Sequence, residues 1–123
     1  PVFGTSLLNP GAGAAAPEAT ALAHDLDGIR FVDMPWLVRT DAAADAGSPQ
    51  PATTLPGELA RLYALGADAY QVAQRWSAGE TRFTIEGKTG RLAVDRSAGP
   101  RVERTPAAAI YRNGAIEREE IAR

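Results

Sequence analysis

The residues that could take part in catalysis or metal binding are few and scattered. The only histidine is His24, and two acids, Asp25 and Asp27, lie close to it in the chain. An imidazole beside a carboxylate can act as a general base, and both groups bind metal ions. A metal site needs three or four converging ligands, however, and a lone histidine on a short helix is usually a surface residue. We therefore expect no catalytic residue, no metal site and no cofactor.

Asp33 and the segment Gly87-x-x-Gly90 are the other candidates for chemistry. Asp33 stands at the end of a predicted strand, where it could serve as a ligand or a base. A carboxylate that caps backbone N–H groups in the turn before Met34-Pro35 fits the same position better. Gly87-x-x-Gly90 is too short for a phosphate loop and lies between strands, not before a helix. We interpret both as turn residues.

The composition is that of an ordinary globular protein. The chain has 123 residues, of which 45% are apolar and 23% charged, and its formal net charge is −2. This length supports one domain with a hydrophobic core. The charge gives no electrostatic basis for binding nucleic acid or an anionic membrane surface. Without cysteine, disulfides, thiol catalysis and thiolate metal sites are excluded. No apolar run approaches the ~18 residues that span a bilayer.

Turn residues and apolar periods predict an alternation of strands and helices in the first half of the chain. The apolar residues of the clearest helix recur at spacings of three and four, which predicts one stripe facing the core. Gly66 within it could mark a kink or a close helix contact. The predicted elements are a strand over 2–8, a helix over 17–24, a strand over 29–33, a flexible loop over 40–56 and the helix over 57–76. The predicted core stripe consists of Leu59, Leu62, Tyr63, Tyr70, Ala73 and Trp76.

The last third of the chain has the alternating pattern of β-hairpins. Apolar residues alternate with polar ones over 83–86 and again over 92–94, on either side of the glycine turn. Asn113-Gly114 is the strongest two-residue hairpin signal, and it lies between two further short strands. Residues 118–123 are interpreted as a solvated tail.

The stretch GIRFVDMPWLVR, residues 28–39, raises a separate question. Its first apolar residues indicate a buried strand, but the chain then continues through Met34 and Pro35 into Trp36 and more apolar side chains. Proline does not occur in the centre of a sheet, so the strand must end before it. Some structure beyond the strand must therefore accommodate Trp36.

The order of these segments resembles the C-terminal part of the LppC/LpoA family of outer-membrane lipoproteins, which activate class A penicillin-binding proteins. The resemblance covers nearly the whole chain, although the loop at 40–56 departs from the family pattern. Four blocks carry it: D-x-x-G-x-R-F-x-D-M-P-W at 25–36, L-x-A-L-G-x-D-A-Y at 62–70, G-x-T-G-x-L at 87–92 and Arg112-Asn113-Gly114.

The resemblance implies an α/β fold that is part of a two-lobed, type I periplasmic-binding-protein-like structure, with β-hairpins in the C-terminal third. Residues 1–123 would form a single fragment, the C-terminal portion of the family's C-terminal module. In the family, an acylated N-terminal cysteine and a helical-repeat domain precede this module, and neither is present in this sequence. The protein would lie at the periplasmic face of the outer membrane of a Gram-negative bacterium, attached only through that lipid anchor.

The function implied by the resemblance is that of a non-enzymatic regulator, which activates a class A penicillin-binding protein by direct contact. The alternative is a receptor that binds a small molecule or a peptidoglycan fragment (a muropeptide) in the cleft between the lobes. Ligands of open α/β folds bind beyond the carboxyl ends of strands. Thr5, Ser6 and Asp33 occupy such ends and are the cleft-binding candidates.

Met34, Pro35 and Trp36 are candidates for a hinge or for partner contact. In a two-lobed fold this segment would be a crossing point beneath both lobes, where apolar side chains stay buried and Pro35 stiffens the chain. We expect Trp36 to be largely buried there. The competing interpretation makes Trp36 an exposed anchor for a partner, since Trp is enriched at binding hot spots.

The start of the chain, Pro1 followed directly by a strand pattern, suggests a segment of a longer protein. A strand over 2–8 would normally be flanked by others in a largely parallel sheet. Without them it would present an open edge, and the long helix would lose part of its cover. We therefore expect exposed apolar surface and self-association of the fragment.

Overall fold

Two β-sheets and one long helix form the described part of the chain. The computed structural model describes residues 1–10, 21, 23–38 and 51–119. One sheet has the strand order β1-β2-β6-β7, and the other has the order β3-β4-β5. The predicted α/β class is confirmed. The elements are β1 (Phe3–Gly4), β2 (Arg30–Asp33), the long helix (Gly57–Ser77), β3 (Arg82–Glu86), β4 (Arg91–Asp95), β5 (Val102–Thr105), β6 (Ala107–Arg112) and β7 (Ala115–Glu119), with 3₁₀ turns at Ser6–Leu8, Pro35–Leu37 and Arg96–Ala98.

The first sheet buries one face and leaves apolar residues exposed on the other. β1 pairs with β2 in parallel, and β6 pairs antiparallel with both β2 and β7. Phe31 and Tyr111 lie in the buried face with ring centroids 5.6 Å apart. Burial raises the pKa of the Tyr111 phenol above its usual value, and its hydroxyl donates to the Leu8 carbonyl. On the opposite face Phe3 is 71% exposed and Val32 49%, so exposed apolar surface is present as predicted.

The second sheet packs one face against the end of the long helix. Its buried side chains alternate along β3 and β4, and Val72 and Trp76 of the helix cover them. The predicted hairpin of β3 and β4 is confirmed, with residues 87–90 as the turn. β5, which the sequence did not predict, pairs with β4, and all four of its residues are exposed. The buried set is Phe83, Ile85, Leu92 and Val94.

The long helix has nearly the predicted limits but buries the opposite face. Ala60, Ala64 and Asp68 are buried, whereas Leu59, Leu62 and Tyr70 are exposed. The prediction that Leu59, Leu62 and Tyr70 face the core is therefore wrong. Ala73, which was predicted to face the core as well, is also exposed. Small residues let the helix approach the structure beneath it, and long-range contacts decide which face is covered. A Cβ at Gly66 would meet no atom within 4 Å among the described residues, so of the two alternatives for Gly66 the close helix contact is not seen there.

Several predicted boundaries change in the structure. The strand expected over 2–8 contains only Phe3–Gly4, because the Thr5 side chain accepts a hydrogen bond from the Leu7 backbone N–H and starts a 3₁₀ turn. Residues 118–123 were predicted to be a solvated tail, but Arg118 and Glu119 are the last two residues of β7. The Asn113-Gly114 turn is confirmed, with φ of 51° and 78° as a type I′ turn requires. The other predictions over 11–20, 39–50 and 120–123 lie outside the described residues.

A buried carboxylate joins the long helix to the turn between β3 and β4. Asp68 is 2% exposed, and it accepts hydrogen bonds from the backbone N–H of Lys88 at 2.8 Å and of Thr89 at 2.7 Å. The Thr89 hydroxyl donates a third bond at 2.7 Å. A Cβ at Gly87 would overlap this carboxylate, so only glycine allows the turn to approach so closely.

The two phenylalanines of the first sheet give a test of which face forms the core. Phe31→Ala should lower the free energy of unfolding by about 3–5 kcal/mol, because it truncates a buried aromatic side chain. Phe3→Ala, the matched control, should cost less than about 1 kcal/mol, because Phe3 is 71% exposed. Urea denaturation followed by tryptophan fluorescence measures both values. Equal costs would contradict the assignment of the buried face.

The same substitution at two glycines tests the Asp68 contact. Gly87→Ala should destabilise the protein by about 1–3 kcal/mol, because the new methyl group displaces the Asp68 carboxylate from the turn. Gly66→Ala should stabilise it by about 0.5–1 kcal/mol, because this helix position is open and alanine is the better helix former. Both are measured by urea denaturation at low protein concentration. A neutral Gly87→Ala would show that the close approach does not matter.

Candidate functional site

The predicted cleft residues come together at one edge of the first sheet. β1 and β2 run parallel, so their carboxyl ends, with Thr5, Ser6 and Asp33, lie side by side. Arg61 of the long helix reaches this edge, and its Nη2 donates to the Ser6 carbonyl at 2.9 Å and to Asp33 Oδ2 at 3.0 Å. Thr5 is exposed. We call these four residues the strand-end cluster.

Asp33 is the buried centre of the strand-end cluster. Its side chain is 1% exposed, against 23% for Arg61. Besides Arg61, the Met34 backbone N–H donates to Oδ1 at 2.8 Å and Asn9 Nδ2 donates to Oδ2 at 2.9 Å. The expected turn-capping role of Asp33 is confirmed by the bond from Met34. Its carboxylate neutralises a partly buried guanidinium, which is a stabilising role, and its role in binding a ligand stays a prediction.

Trp36 lies where three elements meet. It belongs to the 3₁₀ turn Pro35–Leu37 that follows β2, which explains why the strand runs into apolar residues: Val38, two positions later, enters the core of the first sheet. The Trp36 ring lies 5.5 Å from the ring of Tyr63 on the long helix. Its backbone N–H donates to the Lys88 carbonyl, and Lys88 Nζ lies 5.0 Å from the ring centroid. We call Trp36, Tyr63, Asp68 and Lys88 the junction.

The exposure of Met34, Pro35 and Trp36 falls between the two interpretations made from the sequence. All three are half-buried, so Trp36 is less buried than expected for a crossing point and less open than a free anchor. The indole lies close to the Tyr63 ring and to Lys88 Nζ. Hinge and partner contact both stay predictions for this segment.

Among the described residues, no side chains come together in an arrangement typical of a catalytic or metal-binding site. His24 is exposed, and its ring lies against Gly114. Asp27 Oδ1 accepts the backbone N–H of Asn113 at 2.7 Å, so it holds the hairpin turn. Within the described ranges, no group of three His, Asp or Glu side chains could hold a metal ion. No described helix is long and apolar enough to cross a membrane.

The central polar residues of the cluster and the junction were missed in the sequence. Arg61 and Asp68 lie seven positions apart on the long helix, and no motif in the sequence singled out either side chain. The i, i+4 series Ala60, Ala64, Asp68 was the available signal, because small residues at that spacing indicate a closely packed helix face.

Comparisons with known proteins agree with this architecture. A family model described as "LppC putative lipoprotein" matches residues 1–114. A solved structure described as "a putative branched-chain amino acid ABC transporter" from Chromobacterium violaceum is 36% identical with a TM-score of 0.64, and the match covers 89% of this chain and 34% of that one. A comparison with curated protein sequences found no match.

Structures of LpoA from Haemophilus influenzae are also similar. Full-length LpoA is 26% identical with a TM-score of 0.67, over 95% of this chain and 21% of that chain. The LpoA (YraM) C-domain, described as a regulator of PBP1A, is 25% identical with a TM-score of 0.66, over 96% of this chain and 36% of that one. This chain thus spans only between 21% and 36% of the length of these three structures.

The fold is therefore the periplasmic-binding-protein-like one that the sequence blocks implied. The matched region includes all four of those blocks, from residue 25 to residue 114. Because the family model matches residues 1–114 of the 123, this chain belongs to the LppC lipoprotein family.

Proposed function

We propose that this chain is part of a non-enzymatic regulator that activates a class A penicillin-binding protein by direct contact. The observation that carries the proposal is the similarity to the LpoA C-domain, described as a regulator of PBP1A, over 96% of this chain. The four sequence blocks and the family match point in the same direction. Activation would arise if the regulator bound the more active conformation of the synthase more tightly than the less active one.

The surface we propose for this contact is the half-buried segment Met34, Pro35 and Trp36. An indole in contact with Tyr63 and Lys88 is already held in place, so that little side-chain entropy is lost when a partner binds. Trp is also the residue type most enriched at binding hot spots. A rigid, partly exposed Trp36 therefore suits an anchor.

We further propose the setting in which this contact would occur. The chain would be the C-terminal portion of the family's C-terminal module, in a lipoprotein at the periplasmic face of the outer membrane. Membership of a lipoprotein family supports an attachment through lipid outside this sequence. The penicillin-binding protein would be reached within the periplasm.

A second candidate function is a receptor for a small molecule or a muropeptide. The similarity to the Chromobacterium protein, described as an amino acid transporter, favours it, as does the position of Thr5 and Ser6 at the ends of parallel strands. Calorimetry with purified muropeptides separates the two functions. A saturable binding heat that is lost in the Thr5→Ala or Ser6→Ala variant would support the receptor function. A heat indistinguishable from that of buffer alone would rule the receptor function out.

The non-enzymatic part of the proposal predicts no turnover of peptidoglycan. The purified chain should release no soluble fragments from sacculi, because no base and nucleophile pair was found among the described residues. Chromatography of the digest measures this, with a muramidase as the positive control. Turnover that disappears in His24→Ala or Asp33→Ala would contradict the prediction.

The contact surface is tested with the two tryptophans of the chain. Trp36→Ala should weaken binding to the family's class A penicillin-binding protein by about 2 kcal/mol or more, roughly thirtyfold in Kd, as for a hot spot. Trp76→Ala is the matched control: it truncates the other half-buried indole, whose ring centroid lies 4.3 Å from the Arg96 guanidinium. Biolayer interferometry gives the Kd values, and thermal unfolding identifies a loss of fold. An unchanged Kd for a folded Trp36→Ala variant would reject this surface.

A further inference from the structure

Three oxygen atoms at the edge of the first sheet converge on one nitrogen of Arg61. The Nη2 atom donates to the Ser6 carbonyl at 2.9 Å, to the Asn9 carbonyl at 3.0 Å and to Asp33 Oδ2 at 3.0 Å. The two carbonyls belong to the segment that follows β1, and Asp33 is the last residue of β2. A guanidinium NH₂ group has two hydrogens, whereas a primary ammonium group has three. Three acceptors around one nitrogen therefore suit cationic groups in general and not arginine alone.

We call these three atoms the strand-end oxygens, and bonds within the first sheet and its turns hold them in place. The Ser6 carbonyl also accepts the Asn9 backbone N–H at 3.1 Å, which closes the 3₁₀ turn after β1. The Asp33 side chain, which is 1% exposed, accepts the Met34 backbone N–H through Oδ1 at 2.8 Å and Asn9 Nδ2 through Oδ2 at 2.9 Å. These bonds do not involve the long helix. The strand-end oxygens are therefore preorganised without Arg61, as the polar groups of a binding site are.

The electrostatics of the strand-end oxygens select a cation. Asp33 is a buried carboxylate, and a buried charge without a partner strongly destabilises a fold. Arg61 supplies the positive charge, and 23% of its side chain is exposed. The two carbonyl oxygens add partial negative charge at the same point, so an anionic group would be repelled there.

Arg61 lies where a ligand of this kind of fold would bind. Ligands of open α/β folds bind beyond the carboxyl ends of strands, and the parallel strands β1 and β2 end side by side at this point. Arg61 reaches it from the long helix, whose residues Val72 and Trp76 cover the second sheet. The guanidinium therefore connects the two sheets in the way that a ligand connects the two sides of a cleft.

We propose that Ser6, Asn9 and Asp33 form a cation-binding site, and that Arg61 fills it as an internal ligand that fastens the long helix to the first sheet. The ligands that fit this site carry a guanidinium or a primary ammonium group. Because Arg61 belongs to the same chain, its effective concentration at the site is high, and a free cation competes poorly with it. The site does not depend on the proposed regulatory function. For the receptor function it implies that a muropeptide would have to bind through an amino group and displace Arg61.

Removing Arg61 and supplying its missing group in solution tests the site. The Arg61→Ala variant lacks the atoms beyond Cβ, which correspond to ethylguanidinium. It should unfold about 10 °C or more below the unmodified chain, because Asp33 loses its buried partner. Adding about 20 mM ethylguanidinium should restore about half of this loss or more, because a ligand that binds only the folded chain stabilises it. Circular dichroism measures the unfolding temperatures. Titration calorimetry should show saturable binding of ethylguanidinium to the variant and no saturable binding to the unmodified chain.

The controls separate a cation site from a filled cavity and from a general salt effect. Ethylurea has nearly the same shape as ethylguanidinium but no charge, so it should restore little stability. Sodium chloride at the same concentration corrects for ionic strength. Arg75→Ala is the matched variant on the same helix, because the Arg75 side chain is 47% exposed and pairs with Glu80 at 3.4 Å. It should unfold within about 4 °C of the unmodified chain and should not respond to ethylguanidinium.

Equal recovery with ethylurea would show that the probe only fills a cavity, and it would overturn the proposal. A folded Arg61→Ala variant that gains nothing from ethylguanidinium would overturn it as well. If that variant does not fold, Arg61→Lys and Arg61→Met decide the question, because their side chains are similar in length and only lysine brings a cation. Arg61→Lys should unfold at the higher temperature of the two, and an equal or reversed order would contradict the cation site.

Discussion

The buried carboxylate of Asp68 is the interaction on which the arrangement of the chain depends. A carboxylate that is 2% exposed on a helix would cost several kcal/mol if it had no partner. Its three donors all come from Lys88 and Thr89, about twenty residues away in the chain, so the helix and the hairpin turn must meet in one register. The carbonyl of Lys88 then binds the Trp36 N–H, which ties the end of β2 to the same point.

The helix is held by directional polar contacts at two points, and each point belongs to a different sheet. Arg61 bonds to the strand ends of the first sheet, while Asp68 bonds to a turn of the second. The two apolar clusters share no buried residue, and the helix contributes to only one of them, through Val72 and Trp76. The two apolar clusters therefore stabilise each sheet separately. The link between the described sheets runs through the helix, by its hydrogen bonds, the Arg61–Asp33 ion pair and the Trp36–Tyr63 ring contact, with Ala60 and Ala64 buried on the same helix.

This division explains which parts of the structure followed from the sequence. The two hairpins and the limits of the long helix were predictable because their signals are local: alternating residues, the Asn113-Gly114 turn, and the segment Ser77-Ala78-Gly79, where Gly79 has a φ of 83° after the helix ends. The buried face of the helix was not predictable from its large side chains, because the polar contacts of Arg61 and Asp68 orient it. β5 was missed because all its residues are exposed, so that it shows no apolar alternation.

The four sequence blocks that identify the LppC family lie where segments touch. Trp36 of the first block donates its backbone N–H to Lys88 within the third, Asp68 of the second binds Thr89 of the third, and Asn113 of the last donates its backbone N–H to Asp27. These contacts lie within the chain, so part of the family pattern reflects how the fold is held together. Other residues of the blocks keep side-chain surface that no contact within the described part of the chain covers, namely the half-buried Trp36 of the first block and the exposed Leu62 and Tyr70 of the second. Contacts with other molecules can therefore use the same blocks that hold the fold together.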